Sequence, residues 1–156
     1  MKKLIAIAAA LFCAAPAVAL AQPYGPPITL DQARKAYTAG EAEARKNKWP
    51  VAIAILDSGC NLVLMQKMDN TQIAAPMVAQ DKAWAACGYR RNTKVLQDAL
   101  AKGADGWRYL QFHRMVAADG GLPIIVDGKI IGAIGVSGVA GHQDAEVAKA
   151  GAEALK

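Results

Sequence analysis

The chain has 156 residues, 54% of them hydrophobic and 20% charged, with a formal net charge of +5. That length admits one domain with a real core and is too short for two. The basic residues are spread along the chain without a stripe that interleaves them with aromatics, so no nucleic-acid partner is expected.

The first 21 residues stand apart. Lys2-Lys3, an apolar run from Leu4 to Val18 and the small-residue exit Ala19-Leu20-Ala21 are the three parts of a secretory signal peptide. The run is short for a membrane span, and Ala10-Leu11-Phe12 ahead of Cys13 lacks the small residue of a lipidation site. The mature protein is therefore expected to start at Gln22, to be periplasmic or secreted, and to have no membrane contact after cleavage. Without Lys2 and Lys3 the net charge falls from +5 to +3, which suits an acidic small-molecule ligand. Export also opens two fates for Cys60 and Cys87: an oxidising compartment permits a disulfide, and buried free thiols are the alternative.

Gln22 to Pro27 carries three prolines and a glycine and reads as a leader arm outside the core. Thr29 opens a helix with Gln32 three residues on, the spacing of a capping box, and Leu30, Ala33, Tyr37, Gly40 and Ala44 follow on one side to Lys46. Val51 to Leu56 and Leu62 to Met68 are two strands joined by the turn residues Asp57 to Asn61. Pro76 fits the first turn of a helix from about Ala75 to Tyr89, and Asn92 or Thr93 caps a shorter one closed by Gly103. Ala104 to Arg114 is irregular and rich in aromatics. Met115 to Ala118 reads as a further strand, Asp119-Gly120-Gly121 as a turn, and Pro123 puts the next strand at an edge or bulge. Val126-Asp127-Gly128-Lys129 is a type I′ hairpin signal, because Asp tolerates and Gly accepts positive φ. Ile130 to Val136 is its second strand, with glycines at 132 and 135 read as seats for a last helix from about Gln143 to Leu155. Strands that come in hairpins argue an antiparallel sheet in an α+β domain covering residues 28–156.

Chemistry-bearing residues are few. Gly132 to Gly138 has neither dinucleotide-binding spacing nor that of a nucleophile elbow, since Val139 stands where the last glycine would fall. A loop from Ser137 to Gly141 at a helix N-terminus remains able to receive a carboxylate or phosphate, or to serve only as a tight connection. His113 and His142 are the two histidines. His113, among Trp107, Tyr109, Leu110, Phe112 and Met115, is either a ligand in an apolar pocket or a surface residue beside ordinary aromatics. Lys82, Arg90, Arg91, Arg108 and Arg114 are candidates for ligand carboxylates, and Asp57 and Asp69 for acid/base work or plain turn chemistry.

Read together, Asp57-Ser-Gly-Cys-Asn-Leu62-Val63 with Lys67-Met68-Asp69, Asp81-Lys82-Ala83-Trp84-Ala85, Gly120-Gly121-Leu122-Pro123-Ile124, and Gly132 to Gly138 followed by Gln143-Asp144 resemble the GlcG/HbpS-like family from Ile28 to Leu155. Two positions depart from its pattern: Cys60 stands where another glycine is common, and Trp84 replaces a threonine. The resemblance implies a profilin-like α-β-α domain with about five antiparallel strands, commonly assembled into homo-oligomers. It also implies a divergent set of functions, among them an extracellular haem-binding protein working with a sensor system, a protein encoded with glycolate oxidation genes, and domains attached to corrinoid adenosyltransferases.

The leading expectation is a periplasmic or secreted haem (tetrapyrrole)-binding protein. In it Lys82, Arg108 or Arg114 meets the propionates, His113 or His142 reaches iron, and Ser137 belongs to the ligand loop. A cofactor-independent enzyme acting on a small carboxylated metabolite is the alternative, with Lys82, Asp57, His113 or His142 as acid/base groups. An oligomeric accessory protein of a sensor or enzyme is the third reading.

Overall fold

The computed structural model describes residues 22–156, and the segment expected to be a signal peptide, with Cys13, lies outside the described residues. The first helix, α1 (Leu30–Lys46), starts as its sequence demands: the Thr29 hydroxyl accepts from the Gln32 amide, and the Gln32 side chain accepts from the Thr29 amide. Two of the helix's four orphan amide donors are thereby dealt with at its first turn. The chain then forms strands β1 (Ala52–Asp57) and β2 (Leu62–Lys67), helices α2 (Ala75–Gly88) and α3 (Thr93–Ala101), strands β3 (Gly121–Val126) and β4 (Lys129–Ser137), and helix α4 (Gly141–Glu153).

The four strands form one antiparallel sheet in the order β2-β1-β4-β3. β1 is buried on both faces except at its last residue, which explains why its sequence is a continuous apolar run rather than an alternation. Pro123 sits on β3, an edge strand, where a missing N–H is tolerated. The β3–β4 turn has Asp127 at φ 49° and Gly128 at φ 71°, the pair of positive values a type I′ turn requires.

Helices α1 and α4 cover one face, with Ala36, Tyr37, Ile53, Ile55, Ile134, Val136 and Val147 in the core between them and the sheet. Helix α2 covers the other, its Ala75, Ala79 and Ala83 lying on Ala52, Ala54 and Leu56. Gly135 of β4 serves α2, not the last helix: a Cβ there would lie 2.0 Å from the Ala79 carbonyl oxygen and 2.5 Å from the Ala83 nitrogen. Gly132 faces the other way, against the Leu56 carbonyl and Ile28.

The expected strand over Met115 to Ala118 does not form, so the sheet has four strands rather than five among the described residues. Side chains of α2 and its C-terminal turn hold the two residues that lead into this segment. Tyr89 donates its hydroxyl to the His113 carbonyl at 2.6 Å, and Arg114 reaches the Asp81 carboxylate at 2.6 and 2.8 Å. The leader arm stays outside the core yet is tied to it: Gly25 donates to the Ile130 carbonyl, Ile130 to the Pro23 carbonyl, and Ile28 to the Ile131 carbonyl. It pairs with β4 beyond Gly132, where β1 has already ended.

Cys60 and Cys87 form a disulfide, with Cα atoms 5.8 Å apart. Cys60 has φ 63°, a left-handed conformation in which glycine is the ordinary choice, so the bond fixes an otherwise unfavourable backbone in the β1–β2 turn to the end of α2. A link of this sequence separation stabilises by about 2–4 kcal/mol, mainly by restricting the unfolded chain.

Candidate functional site

A concavity of about 430 Å³ lies beside the α2–α3 connection and is lined by Tyr89, Arg91, Leu96, Arg108, Tyr109 and Phe112. Its shape comes from the irregular segment. Residues 107–111 form a single 3₁₀ turn with no buried side chain, leaving Trp107, Leu110 and Phe112 exposed, and the turn carries Arg108 and Tyr109 to the cleft. Leu96 of α3 forms the floor, buried to 2% exposure. Phe112 packs edge-on to Tyr109 at 5.3 Å between ring centroids and lies against Tyr89 at 5.9 Å, so three rings form one wall.

Two guanidinium groups border that wall. Arg91 is anchored by donating to the Tyr89 carbonyl at 2.9 Å, and Arg108 stands 5.3 Å from the Tyr109 ring centroid. The Arg108 guanidinium against its hydroxyl, with the Arg91 charge beyond, holds the Tyr109 phenol below its ordinary range. An apolar, aromatic wall edged by cations suits a flat ligand with carboxylates at one end.

The sequence candidates are dispersed around this cleft. Of them, Arg108 and Arg91 line it. His113 lies at its margin with an exposed side chain, its ring edge-on to Trp84 at 5.3 Å. Arg114 also stands over the Trp84 ring, 5.5 Å from its centroid, while paired with Asp81. Trp84, the departure from the family pattern, thus supports the irregular segment from below. His142 is exposed in the first turn of α4, and neither it nor Ser137 lines the cleft.

Lys82 is wholly internal at 2% exposure, donating to the Val136 carbonyl at 2.9 Å and to Asp144 at 2.8 Å. Asp144 also accepts from the Val139 amide, and Gln143 from the Ala140 amide. Two amides of the Ser137–Gly141 loop therefore already have acceptors from α4. Burial raises the Asp144 carboxyl above the ordinary aspartate value, with the Lys82 hydrogen bond and charge pulling the other way. Asp57 spends one carboxylate oxygen on the amides of Gly59 and Asn61, which is turn chemistry.

Sequence reasoning missed Leu96 and Tyr89 as cleft walls, because the α2–α3 connection that brings them to the aromatic segment is a tertiary contact. Tyr109 was visible only as a neighbour of His113. The one local signal was the density of aromatics between residues 107 and 112.

The sequence model of a family described as "Haem degrading protein HbpS-like" matches residues 28–153. The uncharacterized 15.0 kDa protein in the dhaT-dhaS intergenic region of Citrobacter freundii is 40% identical over 119 residues, 75% of this chain and 84% of that protein. Protein GlcG of Escherichia coli is 39% identical over 99 residues, 64% of this chain and 72% of GlcG. Among solved structures, protein ORFY of Klebsiella pneumoniae superposes with a TM-score of 0.79 at 30% identity, covering 84% of this chain and 92% of that one. A PduOC:heme complex superposes with a TM-score of 0.76 at 25% identity, covering 83% and 96%. With the match running from the first residue of the core to the end of α4, the chain belongs to the HbpS-like family.

Proposed function

We propose that this protein is an exported haem (tetrapyrrole)-binding protein. The observation that carries the reading is the cleft: a wall of Tyr89, Tyr109 and Phe112 over Leu96, edged by Arg91 and Arg108. The residues fit the group. A planar macrocycle takes apolar contact on its face, the cationic edge of the cleft attracts its carboxylate end, and His113 and Tyr109 offer metal-ligating atoms at or near the rim. The family description and the haem complex of a related domain support the same reading. The enzyme reading has less to stand on, since Lys82 and Asp57 are both committed to bonds within the fold.

Titration of the mature chain with hemin is expected to give a saturable Soret shift at micromolar hemin, and no shift would overturn the reading. Light scattering on the same samples tests assembly. Ile73 just ahead of α2 and Met77 in its first turn, 95% and 71% exposed, are apolar surface that a homo-oligomer would cover. A monomer at all concentrations would remove that part of the proposal.

Export is supported by the signal-peptide pattern and by the disulfide, which persists in oxidising compartments. Protein recovered from the periplasm or medium of an exporting cell is expected to start at Gln22 and to show no titratable thiol until reduced. Retention in the cytosol with the first 21 residues intact and both mature-chain thiols free would overturn it.

A further inference from the structure

We propose that the phenol oxygen of Tyr109 is the atom this chain offers to a ferric tetrapyrrole iron in the cleft, in place of either histidine. The inference rests on the haem-binding reading above and assigns the ligand within it. Two of the six residues lining the cleft carry a metal-ligating atom, Tyr89 and Tyr109. The Tyr89 hydroxyl is committed to the His113 carbonyl at 2.6 Å, where it ties the irregular segment to the end of α2. Among the described residues, the Tyr109 hydroxyl donates to no acceptor.

The surroundings of Tyr109 favour the anionic oxygen that ferric iron accepts. Arg108 lies 5.3 Å from its ring centroid and Arg91 lines the same cleft, so a phenolate there has cationic neighbours. The Phe112 ring, edge-on at 5.3 Å, limits rotation of the Tyr109 side chain. Neither histidine has this placement. His113 faces Trp84, with Arg114 also over that indole, and His142 lies on α4, outside the residues that line the cleft. Coordination forms an oxygen–iron bond as the phenol O–H bond breaks and the axial water or hydroxide of the hemin leaves; the phenol proton goes to solvent when water leaves and to the departing hydroxide when hydroxide leaves. Arg108 is then a positioning residue, holding the phenolate form, and Arg91 is left for a propionate.

The test compares hemin complexes of the mature wild type, Tyr109→Phe, His113→Ala and His142→Ala by absorption, resonance Raman and electron paramagnetic resonance. The wild type is expected to show a phenolate-to-iron charge-transfer band and tyrosinate vibrations. Tyr109→Phe should lose both and bind hemin more weakly by about 10-fold or more, since loss of a mere supporting partner of a ligand already costs a metal site about 10-fold to 100-fold. Both histidine variants should keep the wild-type signature. A wild-type spectrum retained in Tyr109→Phe, or lost in His113→Ala or His142→Ala, overturns the assignment and leaves haem binding standing. Absence of any Soret shift in the wild type overturns haem binding itself, and the assignment with it. Circular dichroism of Tyr109→Phe is expected to match the wild type, because the 3₁₀ turn buries no side chain.

Discussion

Gly135→Ala is expected to cost about 3 kcal/mol or more, a large share of the 5–15 kcal/mol that holds a domain of this size together. The added methyl would sit 2.0 Å from the Ala79 carbonyl oxygen, 2.5 Å from the Ala83 nitrogen and 2.9 Å from the Ala83 Cβ. Three features make this contact unforgiving. Most of the obstacle is helix backbone, which cannot rotate out of the way as a side chain does. Gly135 is in the second of the two central strands and pairs with both Ala54 and Gly121, so the sheet cannot yield either. Ala79 and Ala83 are themselves fully buried against the sheet, so α2 would have to lift along its length, opening gaps over Ala52, Ala54 and Leu56. Gly141→Ala is the control. A Cβ there meets nothing closer than 3.5 Å and the position begins a helix, so the change should stay within about 0.5 kcal/mol. Urea unfolding measures both, and a Gly135→Ala midpoint equal to that of Gly141→Ala would show that α2 does not approach the strand so closely.

That contact also marks the limit of what the sequence discloses. Local signals were sufficient for the Thr29 cap, the Asp127-Gly128 turn, the buried run of β1 and the edge placement of Pro123, because each depends on residues adjacent in the chain. The glycines of β4 announced a close approach but not its partner, since nothing local distinguishes α2 from α4. Met115 to Ala118 has strand-like composition, yet Tyr89 and Asp81 tie the residues just before it, His113 and Arg114, to α2 and its C-terminal turn, and no ladder forms there. The pairing of Cys60 with Cys87 is likewise a fact of packing, as the turn after β1 is brought to the end of α2. At the site, composition alone picked out residues 107–112 as a candidate pocket wall. It could not separate Lys82, turned inward to α4, from Arg91 and Arg108, turned to the cleft, because charge in a sequence carries no direction.

Lys82→Met is the second large effect, with an expected loss of about 3–5 kcal/mol at neutral pH. The side chain joins three elements: it stands on α2, donates to the Val136 carbonyl of β4 and neutralises Asp144 of α4. Gly120 closes over the pair so tightly that a Cβ there would lie 2.8 Å from the Asp144 Cβ and 3.0 Å from the Lys82 nitrogen, leaving no room for water to replace the ammonium. Methionine fills the space but strands a buried carboxylate, and the greater part of the loss is that uncompensated charge. Lys82→Met with Asp144→Asn should therefore recover most of it, since asparagine keeps an acceptor for the Val139 amide and carries no charge. The pH dependence separates this account from simple loss of packing. Burial already raises the Asp144 carboxyl above its unfolded value, and removing Lys82 raises it further. A carboxyl raised in the folded state favours folding fully below its unfolded pKa and loses that contribution as pH climbs through the folded value. The deficit of Lys82→Met relative to wild type should thus shrink as pH falls through the raised folded value, where the lone carboxyl takes up a proton, and be smallest near the unfolded aspartate value of about 4. Guanidinium unfolding across that range checks it: a deficit constant with pH would mean that packing, and not the stranded charge, carries the cost.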